Sequence, residues 1–152
     1  MMTELEIKSI RKSFLLLEGH ANVFAAAFYK KLFQLNPNLR ILFHSEMGDQ
    51  SKKLMQTLIL INTSLEHFHS MRYSLRGLGK RHAGYGVRPE HYAMVSSVLI
   101  QTMEEFAGPH FDATLKKAWT KLLALVSGEM LYGMNQTGIL PAAPTAELES
   151  VL

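Results

Sequence analysis

The sequence predicts an all-α protein. Apolar residues recur three and four positions apart over most of the chain, and no stretch alternates with period two for long enough to make a strand. Capping residues, glycines and prolines fall where the periodic segments begin and end.

The first helix opens at Thr3, which forms a capping-box pair with Glu6, and Ile7, Ile10, Phe14 and Leu17 follow on one face. Gly19 punctuates. A second helix covers Ala21 to about Leu35, with Phe24, Phe28 and Leu32 on one stripe. Asn36-Pro37 opens a short turn of helix that ends near Phe43. A polar loop, His44 to Asp49, contains Gly48, and helical phasing resumes from Gln50 with Leu54, Leu58 and Ile61. Leu75, Leu78 and His82 share a face of the next helical piece, which Gly84 and Gly86 stop. Pro89 takes a first helical position, ahead of a stripe of Tyr92, Val95, Leu99, Met103 and Phe106. Gly108-Pro109 ends that helix. Asp112 caps the last one, where Leu115, Trp119, Leu122 and Val126 line up. Residues 1–136 read as one domain, and residues 137–152, with their Ala- and Pro-rich run, as a linker or frayed tail.

Composition narrows the chemistry. The chain has 152 residues, 47% hydrophobic and 19% charged, enough to build the core of one domain. A formal net charge of +3 is too small to point to nucleic acid. No run of 18 apolar residues is present, so no membrane span is expected. The N-terminus carries charges where a signal peptide needs an apolar centre, which makes the cytoplasm the expected location. The absence of cysteine excludes disulfides, thiolate zinc sites, iron–sulfur clusters and cysteine nucleophiles. It also excludes haem held by thiolate or attached through C-x-x-C-H. A metal must therefore be held by His, Met, Tyr, Lys or carboxylates, and the chain has seven His.

Two segments go further: VFAAAFYKKLFQLNPNLRILF at 23–43 and LGKRHAGYGVRPEHYAMV at 78–95. In the second, a helix ends in K-R-H, a glycine-broken corner follows, and P-E-H-Y opens a new helix. Together they resemble bacterial single-domain haemoglobins and the haem domain of flavohaemoglobins. The likeness runs from residue 5 to about 134. It implies a globin fold, a helical sandwich around a b-type haem (iron protoporphyrin IX). By this resemblance His82 is the proximal iron ligand. Tyr29 lies over the distal face, Phe43 packs on the porphyrin, Gln50 is the distal glutamine, and Leu54 is a pocket wall. Tyr92 stands behind the proximal ligand, and Trp119 matches a tryptophan of the last helix. His20, His44, His67, His69, His91 and His110 are read as non-ligands; His67 and His69, two apart on a helix, point away from each other.

The residue types suit these roles. Neutral imidazole is a strong fifth ligand for ferrous haem. A phenol and an amide can donate hydrogen bonds to a bound dioxygen with anionic character. Between Glu66 and Glu90 there is no acidic residue, while Arg72, Arg76, Lys80, Arg81 and Arg88 are available for the haem propionates. Lys53 can also reach a propionate. Alternatively, Lys52 or Lys53 can swing inward and bind the iron when no gas is present, if burial and the metal lower the amine's pKa.

The chain departs from the family pattern in two ways. A glutamate usual near the proximal His in flavohaemoglobin-like proteins falls by register on Met134, with Glu129 more than a turn too early. No G-x-G-x-x-G marks a reductase. There is also no Gly or Pro from Asp49 to Arg76, across the corner where the distal helix should turn into the proximal one. The corner can form at Ser64, Ser70 or Ser74. A fused helix, of roughly 40 Å at about 1.5 Å per residue, would instead let two chains exchange halves in a homodimer.

Three functions are compatible with these residues: binding of dioxygen and other diatomic gases (carbon monoxide, nitric oxide), a gas-sensor module signalling to a downstream domain, and nitric oxide dioxygenation with a separate reductase.

Overall fold

The computed structural model describes residues 1–136 and contains six α-helices and no strand among them. They are α1 (Glu4–Glu18), α2 (Ala21–Leu35), α3 (Met47–Thr63), α4 (Phe68–Gly84), α5 (Pro89–Ala107) and α6 (Ala113–Met134). Short 3-10 turns at Pro37–Leu42, Leu65–His67 and Gly108–His110 join α2 to α3, α3 to α4 and α5 to α6. Residues 137–152, the expected tail, lie outside the described residues.

The local signals place the boundaries. Glu6 N–H donates to the Thr3 hydroxyl at 3.1 Å while the Glu6 carboxylate accepts from Thr3 N–H at 2.8 Å, which closes the expected capping box of α1. Asp112 accepts from Leu115 N–H at 2.8 Å and starts α6. Gly86 (φ 96°) and Gly108 (φ 55°) take up the left-handed backbone that turns the chain after α4 and α5.

Two expectations are corrected. The polar stretch His44 to Asp49 is not a loop throughout: α3 begins at Met47, and Gly48 and Asp49 lie in its first turn. The fused helix is not what the chain adopts. α3 stops at Thr63, with Ser64 N–H bonded back to the Leu60 and Ile61 carbonyls, and one 3-10 turn carries the chain into α4. Ser64 marks the corner without a side-chain cap bond, and the Ser70 hydroxyl donates to the His67 carbonyl at 2.7 Å. Distal and proximal halves of the same chain therefore face one cavity.

The core joins every helix. Phe14, Phe24, Phe28, Leu32, Leu75, Met103, Trp119 and Leu122 are fully buried. Phe14 lies 6.3 Å from Trp119, whose indole N–H donates to Ser13 Oγ at 2.9 Å, and Phe24 meets Phe106 edge-on at 5.5 Å. α4 packs along α6, α2 along α5, and α1 against α6. This leaves α3 and α4 as opposite walls with a space between them.

Candidate functional site

That space is a cavity of about 420 Å³, within the range of pockets that hold cofactors. α3 supplies Gln50, Lys53, Leu54, Thr57, Leu58 and Ile61. α2 supplies Phe28 and Tyr29, and the segment after it Leu39, Leu42, Phe43, His44 and Ser45. Leu78 and His82 of α4, His91, Tyr92 and Val95 of α5, and Val126 and Met130 of α6 close the rest.

His82 sits in the last turn of α4, and its Nδ1 is 2.9 Å from the Leu78 carbonyl. A carbonyl can only accept, so Nδ1 carries the proton and Nε2 keeps its lone pair. Burial holds the ring's pKa below the usual histidine value; the Leu78 bond opposes that shift and nearby Arg81 adds to it. His82 is thus a neutral imidazole, the state that ligates iron.

Tyr29 is 5% exposed, and burial raises its pKa to about 12, opposed by Gln50. The phenol therefore stays protonated as a hydrogen-bond donor. Its ring is fixed edge-on by Phe28 at 4.9 Å and Phe43 at 5.5 Å. Its hydroxyl donates to the backbone carbonyl of Gln50 at 3.3 Å, a long bond. Gln50 and Tyr29 are thus brought together as expected, but through Gln50's main chain.

The cations differ from expectation. Arg72 and Arg76 face α6, where both pair with Glu129, at 3.2 and 2.7 Å. Arg88 pairs with Glu90 at 3.2 Å. None of these three lines the cavity; Lys53, His44 and His91 do. Lys53 Nζ lies 3.5 Å from Ser45 Oγ. His91 Nδ1 accepts the Arg88 N–H at 3.0 Å, which leaves its proton on Nε2. Lys52 is exposed and does not reach the cavity, so of the two lysines only Lys53 is placed to enter it. The sequence signal for His91 was its place two residues after Pro89 and beside Tyr92; on reading the chain it was assigned no role.

Tyr92 lines the cavity from α5, its pKa raised to about 12 by burial, and its buried hydroxyl has no hydrogen-bond partner among the described residues. This agrees with the absence of a carboxylate near the proximal histidine.

Largely apolar walls, one neutral imidazole with a free Nε2, and an ammonium and two further imidazoles in the lining are the donor set a b-type haem requires. Fold and site together define a helical haem protein of the kind that binds diatomic gases. The chain belongs to the globin family: the family model named Globin matches residues 26–130. Among its relatives, a flavohaemoprotein of Vibrio cholerae is 27% identical over 123 residues, 79% of this chain and 31% of that one. The chain thus spans about a third of the flavohaemoprotein's length. An uncharacterised globin-like protein of Aquifex aeolicus is 29% identical over 119 residues, 78% of this chain and 84% of that one. The structure of an engineered carbene transferase, a candidate nitric oxide dioxygenase from Rhodothermus marinus, superposes with a TM-score of 0.74 at 26% identity, covering 84% of this chain and 89% of that one. Among the described residues no helix is long and apolar enough to cross a membrane.

Proposed function

We propose that this chain binds dioxygen reversibly at a haem whose iron is held by His82, with Tyr29 as the principal hydrogen-bond donor to the gas. One observation carries the proposal: a neutral imidazole and an un-ionised phenol line the same cavity from α4 and α2. The haem supplies an iron with one exchangeable position. The protein supplies the rest. Leu78 orients His82 through its carbonyl. Phe43 and Leu54 exclude water and pack on the ring. Tyr92 fills the wall from α5. Lys53, His44 and His91 offer cationic or donor groups to the propionates. Because the Tyr29 hydroxyl bond to the Gln50 carbonyl is long, the phenol can exchange it for a bond to the gas at small cost. The test is stopped-flow dioxygen dissociation from the Tyr29→Phe protein, with carbon monoxide as the control ligand.

Likeness to flavohaemoproteins and to the Rhodothermus protein favours a second reading, nitric oxide dioxygenation. It requires electrons from a separate reductase, since no dinucleotide-binding glycine motif is present in this sequence. We expect turnover to stop after one equivalent of nitric oxide unless a reductase is added. Sustained consumption with nicotinamide cofactor alone would contradict this.

The position of Lys53 supports a gas-free state in which its amine takes the sixth position on the iron, the coupling a sensor uses. At alkaline pH the gas-free wild type and Lys52→Ala are then expected to show a six-coordinate low-spin spectrum, and Lys53→Ala a five-coordinate or water-bound one. Identical spectra in all three proteins would end this reading.

A further inference from the structure

α4 and α6 pack more closely than any other pair of helices in the chain, and they meet through a glycine on each side. A Cβ on Gly79 of α4 would overlap the Met130 carbonyl of α6, and a Cβ on Gly133 of α6 would overlap the Arg76 carbonyl of α4. Both glycines are buried. Arg76 and Gly79 are one turn apart, as are Met130 and Gly133, so the notches interlock and fix sliding as well as spacing. Glycine inside a helix is unfavourable relative to alanine. Two of them at facing contact points indicate that backbone approach is what these positions serve.

The notch is flanked by a clamp. Glu129, itself mostly buried, holds Arg72 at 3.2 Å and Arg76 at 2.7 Å, and the Arg76 guanidinium stacks 4.0 Å over the Tyr132 ring. This arrangement lies directly behind the haem wall. Leu78, next to Gly79, lines the cavity, and its carbonyl holds the Nδ1–H of His82. Met130, which receives Gly79, lines the same cavity from α6. α4 thus carries the imidazole on a helix whose height over the cavity is set by α6.

We infer that Gly79, Gly133 and Glu129 are positioning residues for His82: together they fix how far its Nε2 reaches into the cavity. Glu129 is too early in α6 to serve as a hydrogen-bonding carboxylate beside the imidazole, and acts instead on the helix that carries it. The inference rests on the proposed role of His82. An added Cβ at Gly79 forces α4 away from α6, because close-packed backbones cannot absorb the overlap. His82 then moves with its helix, and the iron–imidazole bond changes without any change in the ligand itself.

The test uses resonance Raman spectroscopy of the ferrous, gas-free holoprotein, read at the iron–histidine stretching band. The rate of haem transfer to an excess of apomyoglobin is measured in parallel. Gly79→Ala and Glu129→Gln are compared with Leu17→Ala, which removes buried volume in α1 far from the cavity. We expect a displaced or split iron–histidine band in both α4–α6 variants, with haem transfer accelerated at least about tenfold in Gly79→Ala. Leu17→Ala should lower Tm and leave the band in place. If Gly79→Ala does not fold, Glu129→Gln, which keeps the side-chain volume, decides alone. A wild-type band in Glu129→Gln, or an equal displacement in Leu17→Ala, overturns the inference. Absence of an iron–histidine band from the wild type would instead overturn the assignment of His82.

Discussion

Replacing His82 with alanine is expected to strip the protein of most of its haem, or to leave a five-coordinate species that added imidazole converts towards the wild-type spectrum. The cost should exceed the roughly 10–100-fold loss in metal affinity that follows removal of an outer-sphere partner, because here the metal bond itself is lost. Fold damage is an insufficient explanation for such a loss. His82 lies in the last turn of α4, its one hydrogen bond is to its own helix at Leu78, and alanine favours helix. Absorption spectra of protein purified with and without imidazole would decide it. A mutant that retains the wild-type Soret and visible bands would remove His82 from the site.

Tyr29→Phe is expected to speed dioxygen dissociation by about tenfold or more and to leave carbon monoxide nearly unaffected. A hydrogen bond to a charged acceptor contributes roughly 1.5–3 kcal/mol, and 1.4 kcal/mol is a factor of about ten. The substitution keeps the ring and its edge-on contacts with Phe28 and Phe43, and removes only a hydroxyl whose present bond is long. Since the phenol ionises only near about 12, the wild-type dissociation rate should not change through neutral and mildly alkaline pH on account of this group. An off-rate unchanged in the mutant would assign the stabilisation elsewhere, with the Gln50 side chain as the next candidate.

The helices were legible wherever a local signal set them. Thr3 with Glu6, Pro89 and Asp112 act within one turn of themselves, and the structure uses each at the expected place. Where tertiary packing decides, the sequence said less. The corner at Ser64 carries no Gly, no Pro and no side-chain cap, so nothing local distinguishes it from continued helix. Its position follows from the need of α3 and α4 to face each other across the cavity. The arginines show the same limit. Arg72 and Arg76 read as free cations near the proximal histidine until Glu129, more than fifty residues later, is seen to hold them. His44 and His91 line the cavity through the fold of the segments between helices, and no spacing rule marks them. By contrast His82, Tyr29, Phe43, Gln50, Leu54, Tyr92 and Lys53 were all named from the sequence, and all line one cavity.

The opposition of α3 and α4 across that cavity makes the cofactor part of the scaffold. The two helices are joined by one short turn, and much of what lies between them is space for haem. Left as a void, 420 Å³ of apolar-lined volume would cost roughly 10 kcal/mol at about 24 cal/mol per Å³, comparable with the whole stability of a domain. Water entry and partial collapse reduce that figure, but the sign is fixed. Anything that binds the folded chain and not the unfolded one shifts the folding equilibrium by mass action. Haem loading and folding are therefore one linked equilibrium here, and the amount of native protein in a cell should follow the supply of haem as well as the rate of synthesis.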